Sequence, residues 1–208
     1  MKRILTLFAT LAVALSASAQ TAEEIIARME KAFDAQETNG LYMTIDIKMP
    51  LLGTMSTKAW SLGKKTRIEA RMMGKLMITW TDGTTEWTYD EDKNELEIKD
   101  DTGTSSEDSG DAEMFSGITD GYDVSIKKET ADAWTIQCKK SKNNKEKDDP
   151  KNMELVVAKG TYFPKSLSAK MSGVSMTMRD LSFDVTEEQV TFDPKKYPTA
   201  KVVDKRGK

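Results

Sequence analysis

Alternating apolar and polar positions run along most of the chain and predict a sheet of short strands. The clearest stretch spans residues 76–98, where two runs rich in β-branched and aromatic residues flank Asp82-Gly83. Asp-Gly favours the positive φ angles of a tight hairpin turn, and a third short alternating run follows. This stretch therefore predicts an antiparallel meander with one apolar face. Its aromatic residues are Trp80, Trp87 and Tyr89.

The same two-residue period occurs before and after this meander. The run 41–49 alternates strictly and stops at Pro50, and the run 55–62 shifts its apolar phase between Ala59 and Trp60, which predicts a bulge or bend. In the next strand Ile68, Ala70 and Met72 alternate with Arg67, Glu69 and Arg71, which are predicted to face water. Further strands are predicted at 122–126, 134–138, 153–157, 167–171, 174–178 and 181–185, followed by a frayed basic tail.

One segment has a helical period instead. Thr21 and Glu24 have capping-box spacing and open an amphipathic helix that is predicted to end near Gly40. A short second helix is predicted over 112–118, after an acidic loop at 100–113. The apolar stripe of the first helix consists of Ala22, Ile25, Ile26, Met29, Ala32 and Phe33.

These elements predict a mainly β fold of the α+β type. About ten short strands follow one another at hairpin spacing without βαβ alternation, so the sheet is predicted to be antiparallel. An antiparallel sheet of this size hides its apolar face either by closing on itself or by curling around a covering element. The amphipathic first helix is long enough to be that element.

The first nineteen residues have the form of an export signal. Lys2-Arg3 gives a basic start, an apolar run follows, and Ala17-Ser18-Ala19 matches the small residues that signal peptidase reads. Cleavage is predicted after Ala19, which leaves residues 20–208 as a single domain. No later run approaches the roughly 18 apolar residues of a membrane span, so the sequence predicts a protein of the bacterial periplasm.

Charge and composition exclude several classes of function. Without Lys2 and Arg3 the chain carries 29 basic and 34 acidic side chains, a net charge of −5, which argues against a nucleic-acid partner. It contains no histidine, which removes Ser-His and Cys-His nucleophile pairs and most zinc sites, so no enzymatic activity, cofactor or metal is predicted. Cys138 is the one cysteine and is predicted to be a buried strand residue.

Methionine is unusually frequent on the apolar phase of the predicted strands. Twelve methionines remain after the predicted cleavage. Methionine fills ordinary cores, but its flexible thioether also lines surfaces that accept ligands of variable shape. An apolar sheet face rich in methionine and tryptophan, with one helix to cover it, favours a cavity for lipid-like material. The methionines concerned are Met43, Met49, Met55, Met72, Met171, Met176 and Met178.

The chain resembles the LolA family of periplasmic carriers of outer-membrane lipoproteins. The resemblance lies in the signal peptide, the amphipathic first helix, the order of strands, and the meander with Asp82-Gly83 followed by Trp87 and Tyr89. Phe192-Asp-Pro194 is similar to the Phe-x-x-Pro region of the family, shortened by one residue. Where many family members have Arg-Pro between the second and third strands, this chain has Gly63-Lys64-Lys65.

The resemblance implies an unclosed antiparallel β-barrel of about ten or eleven strands, covered by an N-terminal helix and a short lid helix. It also implies an apolar cavity for acyl chains, a monomeric carrier that binds an acylated lipoprotein or lipid, and membrane-bound donor and acceptor proteins. A second hypothesis is a LolA-like sensor that binds a lipid or one regulatory protein without transport. The candidate lipid-binding residues are Met43, Ile45, Ile47, Ile68, Ile78, Trp80, Trp87, Met176 and Met178 in the wall and Phe115 in the lid.

Overall fold

A computed structural model describes residues 20–103, 115–171 and 173–207. The predicted signal peptide and most of the acidic loop lie outside these residues. Helix α1 spans Ala22–Asp34 and confirms the capping box, because the Thr21 side chain accepts from the Glu24 backbone N–H while the Glu24 carboxylate accepts from that of Thr21. Five stripe residues are buried: Ala22, Ile25, Ile26, Met29 and Phe33.

Twelve strands form one sheet, and its edges are β12 and β7. The strand order is β12-β6-β5-β4-β3-β2-β1-β11-β10-β9-β8-β7, and no pairing between the two edges closes the sheet within the described ranges. This confirms the predicted unclosed architecture. The strands are β1 Leu41–Met49, β2 Gly53–Leu62, β3 Lys65–Met72, β4 Lys75–Thr81, β5 Thr85–Asp90, β6 Glu95–Asp100, β7 Tyr122–Glu129, β8 Ala133–Lys140, β9 Asn152–Ala158, β10 Pro164–Met171, β11 Val174–Ser182 and β12 Lys201–Asp204.

The C-terminal third differs from its prediction. Strand β11 runs through Leu181 to Ser182, so the segments predicted at 174–178 and 181–185 are one strand that ends before Val185. The tail is ordered: helix α2, Glu187–Val190, leads to β12, which pairs parallel with β6. The all-antiparallel prediction is therefore wrong at this edge. Tail and meander are about 100 residues apart, and local alternation carries no information on such a pairing.

The second helix is also placed differently from its prediction. Of the predicted range 112–118, residues 112–114 lie outside the described chain, and Phe115 to Ile118 forms turns. Within the described ranges, the short helix that follows α1 is α2, in the C-terminal tail.

The strand register divides the apolar residues between two sides of the sheet. Opposite residues in neighbouring strands share a side, and side chains alternate along each strand. On β1 and β11, Ile45 faces the same side as Met178, and this side carries α1. We call it the helix side. The other side, covered over β4 to β6 by the tail that follows β11, is the tail side.

The bulge predicted between Ala59 and Trp60 is absent. Strand β2 pairs with β1 and β3 in unbroken register, with Trp60 opposite both Tyr42 and Arg67. The apolar phase changes because both sides of the sheet are covered at this point: Ala59 packs against the core beneath α1, and Trp60 lies on the tail side against Tyr42, with ring centroids 5.0 Å apart.

Candidate functional site

Helix α1 closes the helix side over β8 to β11. Its apolar stripe packs into a cluster in which Ile136, Cys138 and Leu155 have no solvent exposure. Phe33 contacts Phe115, with ring centroids 4.7 Å apart. Phe115 therefore packs against the covering helix and is buried there.

Along the central strands the helix side is less completely covered. Met43 and Met178 are buried, but their apolar neighbours toward the far ends of β1, β2 and β11 are half-buried. Met55 and Met176 lie on either side of Ile47 in the register, and Ile45 and Ile68 lie nearby on the same side. Beyond them, 47% of Met77 is exposed. We call Ile45, Ile47, Met55, Ile68 and Met176 the open floor.

The open floor ends at a polar region on β4 to β6. There the helix side carries a pocket of about 330 Å³ that begins at Met77. Thr79 and Thr88 contact each other across the strands at 3.3 Å, and the Lys99 Nζ lies 3.1 Å from Glu86 Oε1. Its remaining lining residues are Asp90, Lys93, Glu95 and Glu97. The open floor is thus directly adjacent to a polar surface that carries both acidic and basic side chains.

The tail side over β4 to β6 is closed by the chain itself. Trp80 is 4% exposed, and its ring centroid lies 5.3 Å from that of Phe192 and 5.6 Å from that of Tyr197. Trp87 stacks on Phe192 at 5.3 Å and 15°. Burial under this aromatic cluster raises the pKa of the Tyr197 hydroxyl. The Phe192-Asp-Pro194 segment therefore covers the tail side of the meander.

This arrangement separates residues that the sequence placed in one wall. Ile78, Trp80 and Trp87 pair with one another or with tail-side neighbours, and so they do not line the helix side. The predicted grouping fails because the sheet changes its apolar side between β2 and β4, so the apolar residues of these strands do not share one side. Six wall candidates remain together on the helix side: Met43, Ile45, Ile47, Ile68, Met176 and Met178.

Arg67, predicted to face water, lies beneath the tail instead. Its guanidinium carbon is 4.9 Å from the Trp60 ring centroid and 5.8 Å from that of Trp80. Its Nη1 donates to the Gln189 carbonyl at 3.4 Å, and Nη2 pairs with Glu69. Arg67 thus holds the tail rather than the helical cover.

The described residues contain no group of three or more acidic, Cys or His side chains that could hold a metal ion. Burial raises the pKa of the Cys138 thiol to about 11, so this thiol is not a nucleophile at neutral pH. Asp90 Oδ1 accepts from the Lys93 backbone N–H in the hairpin turn between β5 and β6. No helix in the described ranges is long and apolar enough to cross a membrane.

One floor residue, Met55, and Met77 beyond the floor were absent from the predicted lipid-binding set. Met55 lies opposite Ile47, and Met77 borders the polar pocket. The sequence places Met55 on the apolar phase of its strand, and the short turn at Pro50, which pairs this strand with β1, is the signal that adds Met55 to the set.

Comparison with known proteins identifies a fold rather than a close relative. No family model and no curated protein sequence matches the chain. Among solved structures, the lipoprotein LppX of Mycobacterium tuberculosis is similar over 82% of this chain and 100% of its own, with 11% identity and a TM-score of 0.52. A LolA superfamily protein of Nitrosomonas europaea aligns over 84% of this chain and 99% of its own, with 11% identity and a TM-score of 0.32.

A third similar structure is the MucA/MucB complex of Pseudomonas aeruginosa, aligned over 83% of this chain and 62% of the matched chain, with 11% identity and a TM-score of 0.44. At these identities the likeness concerns the fold. The unclosed sheet, its N-terminal covering helix and the similarity to LppX agree with the expectation from the sequence. The chain therefore has a LolA-like fold.

Proposed function

We propose that this protein is a non-enzymatic, exported binding protein that takes an acyl chain of a lipoprotein or similar lipid on the open floor. We further propose that it acts in the periplasm as a monomeric carrier toward the outer membrane, between membrane-bound donor and acceptor proteins. The observation that carries the proposal is the incomplete cover of the helix side. Apolar residues continue beyond the last buried positions, Met43 and Met178, to half-buried Ile47, Met55 and Met176.

The energetics of burial suit a ligand with a long hydrocarbon chain. Each buried methylene contributes about 0.8 kcal/mol, so about a dozen contribute roughly 10 kcal/mol. This compares with an association cost of about 4 kcal/mol or more. Methionine thioethers adapt to chains of different shape, and Met55 and Met176 flank the middle of the floor. No reactive group is required for such binding.

The polar border of the floor suits the other end of an amphiphile. Thr79 and Thr88 supply hydroxyl groups beside Met77, and Glu86 and Lys99 supply opposite charges. A polar headgroup or the peptide of an acylated protein can therefore leave the apolar floor and meet hydrogen-bonding partners at once.

A titration of the mature chain with a fluorescent fatty acid and with an acylated peptide tests this proposal. Met176→Asp places a charge on the floor and is expected to abolish binding, whereas Ser175→Asp, the adjacent residue on the tail side, is expected to bind as wild type does. Mass spectrometry of lipid that co-purifies with each variant gives the same comparison in the cell. Equal binding by both variants would refute the proposal.

The same experiment distinguishes the sensor hypothesis. A sensor for a protein partner binds one regulatory protein stoichiometrically and carries no lipid when purified. In that outcome, Met176→Asp weakens capture of the partner while the fatty acid fails to bind any variant.

A further inference from the structure

Three neighbouring hairpins present bare aliphatic side chains at one end of the sheet. Leu51 is fully exposed, Leu52 is 69% exposed, Met73 is 84% exposed and Met171 is 40% exposed. They lie at or beside the turns of β1-β2, β3-β4 and β10-β11, which are adjacent in the sheet. We call Leu51, Leu52, Met73 and Met171 the hairpin rim. Six consecutive strands at about 4.8 Å spacing give the rim a width of roughly 24 Å.

The turns themselves do not require these residues. Leu51 has φ +68° and Met73 has φ +52°, a left-handed conformation that glycine or asparagine adopts at lower cost. Both side chains point away from the fold and bury nothing. The apolar side chains at these two turns therefore contribute neither to turn geometry nor to the core, and an interaction outside the fold is the remaining physical reason for them.

Lysines lie directly behind the hairpin rim on the tail side. In the register, Lys48 and Lys170 both lie opposite Ser175, one from each side, and Lys139 lies opposite Asn152 two strands further along. All three lysines are exposed; Asp123 on β7 lies opposite Lys139, whereas the residues opposite Lys48 in the register, Thr54 and Ser175, are uncharged. A basic row behind protruding aliphatic residues matches the headgroup and acyl layers of an anionic membrane surface.

A cleft beside this row adds further lysines. Its volume is about 540 Å³, and it joins Lys170 and Asn152 to the loop after β8, with Met171 at the rim. Its charged loop residues are Lys147, Asp148, Asp149 and Lys151. The two loop lysines are balanced by the two loop aspartates, so the net positive charge of the cleft lies on Lys170.

We propose that the hairpin rim docks directly onto an anionic lipid bilayer, with Leu51, Leu52, Met73 and Met171 in the acyl boundary and Lys48 and Lys170 among the phosphates. Separate protruding side chains suit a fluid bilayer, which closes around each of them, better than a protein groove that requires one continuous patch. Met171 and Met49 lie on the helix side, in line with Ala169 and Ile47. Apolar residues therefore continue from the open floor to the hairpin rim. Docking of the rim would bring this end of the open floor to the membrane.

Vesicle flotation of the mature, lipid-free chain tests the docking proposal. Wild type is expected to float with phosphatidylcholine vesicles that contain phosphatidylglycerol and to float less with pure phosphatidylcholine. Leu51→Asp with Leu52→Asp is expected to lower the partition coefficient about tenfold or more. Lys48→Glu with Lys170→Glu is expected to lower it severalfold and to reduce its dependence on salt.

Two further variants control for folding and for general loss of hydrophobicity. Leu51→Asn suits a positive φ, so it is expected to keep the stability of wild type while weakening vesicle binding. Val202→Asp replaces an exposed apolar residue on β12, far from the rim in strand order, and is expected to float as wild type does. Failure of wild type to float, or equal flotation of wild type and the Leu51/Leu52 variant, would overturn the proposal.

Vesicle flotation tests membrane docking independently of acyl binding in solution. Without vesicles, the Leu51/Leu52 variant is expected to bind fatty acid as wild type does, because neither residue belongs to the open floor. If the chain binds a purified membrane protein but not protein-free vesicles, its docking partner is a protein and not the bilayer. That outcome would overturn the proposal.

Discussion

The two covered regions of the sheet differ in how completely their own chain closes them. On the tail side, Phe192 and Tyr197 reach across the meander and leave Trp80 4% and Ile78 6% exposed. On the helix side, α1 closes the cluster around Leu155 but leaves Ile47 and Met176 half-buried. The aromatic surface is therefore covered by the chain itself, and the aliphatic surface is the one left partly open.

The difference shows why aromatic content alone is a poor guide to a binding site. Large aromatic side chains bury the most area, so the chain gains more stability by covering them itself. Half-covered methionine and isoleucine cost less to leave exposed and adapt to a guest. The predictions below test this division, beginning with the largest expected effect.

Trp80→Ala is expected to lower the free energy of unfolding by about 3–5 kcal/mol, because it leaves a cavity beneath Phe192 and Tyr197. Urea denaturation monitored by circular dichroism measures the change. The folded fraction is expected to bind fatty acid with the affinity of wild type. A large loss of acyl affinity at unchanged stability would place Trp80 in the binding site. The assignment of the tail side to stability and of the helix side to binding would then be wrong.

Cys138 reports on the closed part of the helix side. Burial raises the pKa of its thiol to about 11, against 9.0 for a free thiol. At pH 8 its thiolate fraction is therefore about a hundredfold lower than that of an exposed cysteine. We expect alkylation by iodoacetamide to be at least about a hundredfold slower in the native protein than in urea, with or without bound fatty acid.

The same measurement tests whether α1 moves. Ligand on the open floor leaves the cluster around Cys138 in place, so the alkylation rate is expected to stay low when fatty acid binds. An increase in the rate upon binding would show that the ligand enters by displacing α1, and the open floor would then be only part of the site.

Much of this fold follows from local patterns. The Thr21 capping box and the apolar stripe fix α1, and strict alternation gives β1 with the bounds that the structure has, Leu41 to Met49. The change of apolar side could also have been deduced. Two-residue turns join β2 to β3 and β3 to β4, and counting through them places Trp60, Arg67 and Trp80 on one side.

Other features were beyond the reach of local sequence patterns. The tail segment around Phe192 closes the meander from about 100 residues away, and β12 joins β6 in parallel by a pairing that no turn specifies. Partial burial of Met176 depends on how far α1 extends over the sheet, which is a property of packing between distant elements. The predicted β1 and β11 residues share one side of the sheet, as the pattern predicts, whereas the predicted meander residues Ile78, Trp80 and Trp87 lie on the other side.

A pair of methionines on one strand sharpens the comparison within the helix side. Met178 is buried and Met176 is half-buried, both on the same side of β11. Met178→Ala is expected to cost about 2–3 kcal/mol of stability and Met176→Ala about 1 kcal/mol, because less packing is lost where solvent already reaches the side chain. Fatty-acid titration is expected to show the opposite order, with the greater loss of affinity for Met176→Ala. Matching orders in both measurements would mean that the floor is not separate from the core.

The smallest effect on stability is expected at an ion pair on the solvent-exposed part of the tail side. On β1 and β11, Arg179 Nε donates to Asp46 Oδ2 at 2.7 Å, and this hydrogen bond lowers the pKa of the Asp46 carboxyl. Because the native pKa lies below the unfolded one, the pair stabilises the fold above the unfolded pKa of about 4 and loses this contribution as pH falls through the native pKa. Asp46→Asn is therefore expected to cost about 0.5–1 kcal/mol at about pH 7 and to approach wild type in acid. Urea titrations at both pH values measure this difference, and a loss that persists undiminished in acid would mean that Asp46 acts through packing rather than charge.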